Sequence, residues 1–147
     1  MRYSHTQRAP AFFQFGVIAL LVLTAGITVV ADGAVGAVVG LMLVVIALLV
    51  LVFSRLTVEV NDDGLQASFG RGWPRRTARF DESATARVVR NRWWYGFGIR
   101  WIPGGILWNV WGLDAVELDL TDGKKLRIGT DEPDALLAAL VGRVAIG

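Results

Sequence analysis

The side chains that could do chemistry are few and scattered. The 147 residues contain no Cys and one His, His5, so neither a thiol nucleophile nor a His/Cys metal site can be built. His5 lies in the N-terminal segment, where a solvated tail residue is expected. Ser4, Ser54, Ser68 and Ser83 have no GxSxG setting. Gly96-Phe97-Gly98 lacks the third glycine of a dinucleotide loop, and no GxxxxGK phosphate loop occurs. Asp62-Asp63 sits in an Asn-Asp-Asp-Gly cluster that a turn explains. These observations lead to the expectation of no catalysis, no metal and no cofactor.

Charge and aromatic residues say more. Between Arg71 and Arg100 eight arginines stand against Asp81 and Glu82, a net of +6. Between Asp114 and Asp134 seven acids stand against Lys124, Lys125 and Arg127, a net of −4. All 6 Trp fall between Trp73 and Trp111. An Arg71/Arg75/Arg76/Arg79 cluster with Trp73, Trp93 and Trp94 is the candidate surface for lipid or a partner, since basic residues favour an anionic leaflet and Trp favours its interface. Alternatively, the Trp residues fill a core and the arginines are ordinary strand-exterior charges. A mixture, with some Trp inside and the Arg cluster toward lipid, is the expectation. Nucleic acid is a poor partner, because the basic stretch contains no recognition helix.

The elements that must position these residues divide the chain in two. Apolar residues reach 54%, against roughly 45–50% in an average soluble domain. The excess comes from two uncharged runs, residues 11–30 and 34–53, each long enough to cross the roughly 30 Å hydrocarbon core as a helix. The first exceeds the roughly 7–15 apolar residues of a cleavable signal. Ala31-Asp32-Gly33 allows only a tight turn, so the runs form an antiparallel hairpin. Gly36 and Gly40 make a GxxxG face that could pack on the first run or on another copy. No charged residue lies mid-span, so an ion pathway has no groups to work with. Arg2 and Arg8 precede the first run, Arg55 follows the second, and the turn has no basic residue. The positive-inside rule then puts both termini in the cytoplasm of a two-span inner-membrane protein. The expected organisation is a tail over 1–10, a hairpin over 11–54 and a cytoplasmic domain over 55–147.

From Arg55 onward the period changes to two. Leu56, Val58 and Val60 pair with Phe69, Ala67 and Leu65 if Asn61-Asp62-Asp63-Gly64 is the turn. Val116, Leu118 and Leu120 alternate with Glu117 and Asp119. A three-residue turn with left-handed Gly123 pairs Leu118 with Leu126 and Val116 with Ile128, and sets Asp119 opposite Lys125 and Glu117 opposite Arg127. Such pairs at a surface contribute a few tenths of a kcal/mol. Softer strands are expected near 75–80, 84–90, 98–102 and 106–111. Thr130 can cap a final helix whose apolar stripe is Leu136, Leu137, Leu140, Val141 and Val144.

Trp94-Tyr95-Gly96-Phe97-Gly98-Ile99-Arg100, Gly112 with Ala115-Val116-Glu117-Leu118, the Thr121-Asp122-Gly123-Lys124 turn and Ile128-Gly129-Thr130-Asp131-Glu132-Pro133 resemble the second half of small bacterial PH-domain membrane proteins. The resemblance implies a PH-like antiparallel β-barrel of seven strands over residues 55–145, capped by the C-terminal α-helix and preceded by the two-helix transmembrane hairpin. It implies no phosphoinositide site, because the first hairpin loop here is acidic. The function expected is a membrane binding or scaffold protein acting on membrane lipids, a protein partner or a homo-oligomer. The alternative is an accessory subunit of a membrane enzyme or transporter, acting through the hairpin. A lipid-headgroup enzyme using Asp81 and Glu82 is the remaining class.

Overall fold

A computed structural model describes residues 3–147; Met1, Arg2 and the side chains of Asp32, Glu82, Ser83 and Ala84 lie outside the described residues. The chain divides into two compact units, residues 9–54 and the remainder.

The first unit contains α1 (Ala11–Ala31) and α2 (Gly33–Phe53), both long and apolar enough to cross a membrane. They meet at Gly33, whose φ of 55° and ψ of −118° break the helix in a conformation that glycine adopts without a Cβ penalty. Thr24 and Thr28 satisfy their hydroxyls by donating to the Leu20 and Ala25 carbonyls of the preceding turn. The helix surfaces are apolar nearly all round, with Leu20, Leu23, Ile27, Leu41 and Met42 exposed.

The second unit begins where a tail was expected. Tyr3–Arg8 is strand β1, and it pairs antiparallel with β2 (Arg55–Val60) from Tyr3↔Val60 to Arg8↔Arg55. This corrects the reading of residues 1–10 as a tail. The chain leaves the sheet at Arg8 and returns to the opposed position at Arg55. Strands β3 (Gly64–Phe69) and β4 (Arg75–Arg79) complete a four-stranded sheet in the order β1-β2-β3-β4. Leu56↔Phe69, Val58↔Ala67 and Val60↔Leu65 face each other, as the alternation requires.

The second sheet contains β5 (Ser83–Arg90), β6 (Gly98–Ile102), β7 (Gly105–Asn109), β8 (Asp114–Leu120), β9 (Lys125–Gly129) and the short β10 (Ala145–Ile146), in the order β10-β5-β8-β9-β7-β6. The β8–β9 hairpin has the expected register, with Glu117↔Arg127 and Asp119↔Lys125, and Gly123 takes a φ of 80° in the turn. Two pairings are parallel, β7 with β9 and β10 with β5. The sheet is therefore mixed, and the two ladders do not close on one another, so an all-antiparallel seven-stranded barrel is not what these strands form.

Both sheets contribute to the core. Leu56, Val58, Val60, Leu65 and Phe69 come from the first, and Val116, Leu118 and Ile128 from the second. Helix α3 (Pro133–Leu140) packs on β5 and β8 and buries Leu136 and Leu140. It is shorter than its apolar stripe suggested. Val141 leaves helical geometry at ψ 132° and Gly142 turns the chain at φ 79°, which sends Ala145 and Ile146 alongside β5. Thr130 Oγ1 accepts from the Glu132 amide at 3.1 Å, organising the entry to the helix from two residues further out than a cap would.

Candidate functional site: the arginine and tryptophan surface

The expected cluster separates along the strand. β4 is an edge strand, and its residues alternate between faces. Arg75 and Arg79 share one face with Thr77, while Arg76 shares the other with Ala78, which is buried. Arg79 is committed to Asp81, donating from Nε to Oδ1 and from Nη2 to Oδ2, both at 3.1 Å. Arg71, in the loop before β4, and Arg75 and Arg76 make no ion pair among the described residues; all three are exposed.

The tryptophans divide as well. Trp108 is core: it is 5% exposed and stacks on Phe69 with ring centres 5.3 Å apart. Trp111 is half-buried and stacks on Phe97 at 5.0 Å. The other four face outward, with Trp73 and Trp93 at 77%, Trp94 at 56% and Trp101 at 86% exposure. Trp93 and Trp94 lie on a single 3-10 turn, edge to face at 5.7 Å, and the Arg92 guanidinium stands 5.2 Å over the Trp94 ring. That turn borders a cavity of about 280 Å³ with Asn91, Phe97, Asn109 and Trp111. Arg76 borders a different cavity of about 340 Å³, with Trp101 and Lys124. The structure thus joins Arg76 to Trp101, which sequence reasoning had not singled out, and places Trp93 at a separate cavity.

The two hairpin glycines face α1. A Cβ on Gly36 would run into the Thr28 carbonyl, and one on Gly40 would stand 2.8 Å from Val29 Cγ2. The GxxxG face is therefore occupied inside the chain, and the close approach of the two backbones depends on it.

Several of the acids are held by ion pairs. His5 is on β1, with Nε2 2.7 Å from Asp131 Oδ1 and Nδ1 3.3 Å from Glu132 Oε2, so it joins the N-terminal strand to the entry of α3 and is no tail residue. Arg143 donates to the Asn61 carbonyl and reaches Asp62, tying the first hairpin loop to the C-terminal segment. Glu117 is 1% exposed and not at the surface. Arg87 on β5 approaches Oε1 at 2.5 Å, Lys125 reaches Oε1 at 3.2 Å, and Arg127 donates to Oε2. Burial pushes its carboxyl up, and the hydrogen bonds from Arg127, Arg87 and Lys125 outweigh that, holding it at about 2. Arg127 also donates to Asn91 Oδ1 at 3.2 Å, so the network reaches the segment that carries Trp93 and Trp94. Among the described residues no group of three or more acids and histidines is arranged to hold a metal.

What this surface offers chemically is cationic charge unpaired among the described residues, with exposed indoles next to it at Arg76–Trp101 and Arg92–Trp94. Comparison with protein-family models and with curated proteins gives no match to this chain.

Proposed function

We propose that the protein is a membrane-anchored binding module whose β unit works at the cytoplasmic surface of the inner membrane, contacting anionic lipid through its Arg and Trp residues. The observation that carries this reading is the exposure of Trp73, Trp93, Trp94 and Trp101 on a unit whose Arg71, Arg75 and Arg76 are exposed and form no ion pair among the described residues, with Arg76 and Trp101 lining one cleft. Indoles favour the membrane–water interface, and a basic residue near an anionic leaflet gains about 1 kcal/mol. The two apolar helices supply the anchor. The pairing of β1 with β2 supports a common side for both segments that flank the helices, since strands of one sheet cannot be separated by a bilayer. The absence of basic residues from the turn supports the cytoplasm as that side. A PH-like identity belongs to this reading too, supported by the two hairpin registers and the terminal helix.

The alternative, an accessory subunit acting through its hairpin, is the weaker reading because the small-residue face of α2 is already filled by α1.

The test is Trp quenching in vesicles holding the full-length chain, with spin-labelled headgroup lipid as quencher. Quenching should be stronger in vesicles containing phosphatidylglycerol than in phosphatidylcholine alone. It should weaken at high salt and in Arg71→Glu/Arg75→Glu. Equal quenching in both vesicle types would overturn the proposal.

A further inference from the structure

Arg76 occupies an unusual place. It is on the side of β4 that carries Ala78, two positions before that buried residue, yet is itself exposed near the start of the strand. It lines a cleft with the β6–β7 hairpin, whose turn is Pro103-Gly104 with Gly104 at φ 84°. The turn is held to β9 by the Lys125 amide, which donates to the Gly104 carbonyl at 2.9 Å. The cleft between them, about 340 Å³, has Ile102 and Ile106 in its apolar wall, Trp101 at its rim, and Arg76, Lys124 and Lys125 as its charged groups.

Among the described residues no acid lines this cleft. Lys124 is paired with Asp122 at 3.1 Å, and Lys125 is shared between Glu117 and Asp119, so among the described residues Arg76 is the cleft's cation without an ion-pair partner. An occupant needs an anionic head for Arg76 and a short apolar segment for the isoleucines. We infer that the cleft is a discrete site for one anionic phospholipid, its phosphate on Arg76 and the start of an acyl chain along Trp101, Ile102 and Ile106. This rests on the proposed function and sharpens it, since a surface attracted to charge in general needs no particular arginine. Guanidinium suits phosphate because it donates two hydrogen bonds in one plane.

The experiment is native mass spectrometry of the full-length chain in neutral detergent, titrated with phosphatidylglycerol or phosphatidylcholine. One phosphatidylglycerol should be retained per chain, and phosphatidylcholine, whose phosphate is the same but whose choline ammonium would lie beside Lys124 and Lys125, should be retained less. Arg76→Gln should lower retention about tenfold, the loss expected for one charge-assisted hydrogen-bond pair. Trp101→Ala, at a position too exposed to affect folding, should lower it too, while Arg8→Gln, on β1 at the opposite edge of the first sheet, should leave it unchanged. Retention that ignores Arg76 overturns the inference, and if Arg76→Gln also self-associates, Arg76 is a guard on the β4 edge instead. A peptide retained in place of lipid would mean strand addition at β4 or β6, and would overturn it equally. Because the micelle offers no anionic surface, failure here together with phosphatidylglycerol-dependent quenching in vesicles rejects the cleft and leaves the surface reading standing.

Discussion

Arg127 donates through Nε to Glu117 Oε2 at 2.8 Å, from one strand to the next across the β8–β9 ladder. Arg87 reaches the same carboxylate from β5 on the other side, so Glu117 joins three strands by charge on the face of the sheet opposite Val116 and Leu118. Glu117→Gln would leave both guanidiniums facing a neutral amide. Removing one partner of a buried pair costs about 3 kcal/mol or more. A urea midpoint that falls accordingly, followed by Trp fluorescence, is the expected result.

The same group sets an acid limit on stability. Its folded pKa, about 2, lies below the ordinary 4.5, so the folded state binds the proton later than the unfolded chain does. The stabilisation is complete above about pH 4.5 and is lost as pH falls toward 2, with a total on the order of 3 kcal/mol. Urea unfolding across that range should show a slope that Glu117→Gln removes.

In the helical hairpin, Gly36→Ala and Gly26→Ala should act in opposite directions. The first places a methyl group against the Thr28 carbonyl, and overpacking of this kind costs about 1–3 kcal/mol. The second meets nothing within 4 Å and gains helix propensity. Thermal unfolding in micelles should show a lowered midpoint for Gly36→Ala alone.

Two tryptophans provide a matched pair. Trp108→Ala empties a core position beside Phe69 and should cost about 3–5 kcal/mol. Trp101→Ala removes a side chain that is 86% exposed and should change stability by no more than about 0.5 kcal/mol. A comparable loss in both would show that Trp101 is packed.

Both hairpin registers could be read from the sequence because each is set by short-range alternation and a turn. Val60 opposite Leu65 and Glu117 opposite Arg127 are decisions between neighbours in the chain. What could not be read depends on distant partners. Tyr3–Arg8 has no apolar alternation, and only β2, fifty residues on, makes it a strand. The β8–β9 hairpin alone shows Glu117 as a surface residue; Arg87 from β5 helps to bury it. The arginine run reads as one patch, but strand geometry turns Arg76 away from Arg75 and toward Trp101. The terminal helix ends early because Gly142 redirects the chain to β5, which no helical periodicity records.

The pairing of Arg8 with Arg55 also imposes an order in time. Synthesis runs from the N-terminus, so Tyr3–Arg8 is made first and has no partner until the whole helical hairpin and then β2 have followed. The first sheet is thus assembled by closing a loop around a finished hairpin, and a chain stopped before Val60 should leave the amides of β1 open to solvent exchange. Its completed edge is in effect a record that α1 and α2 were made and brought back to their starting point.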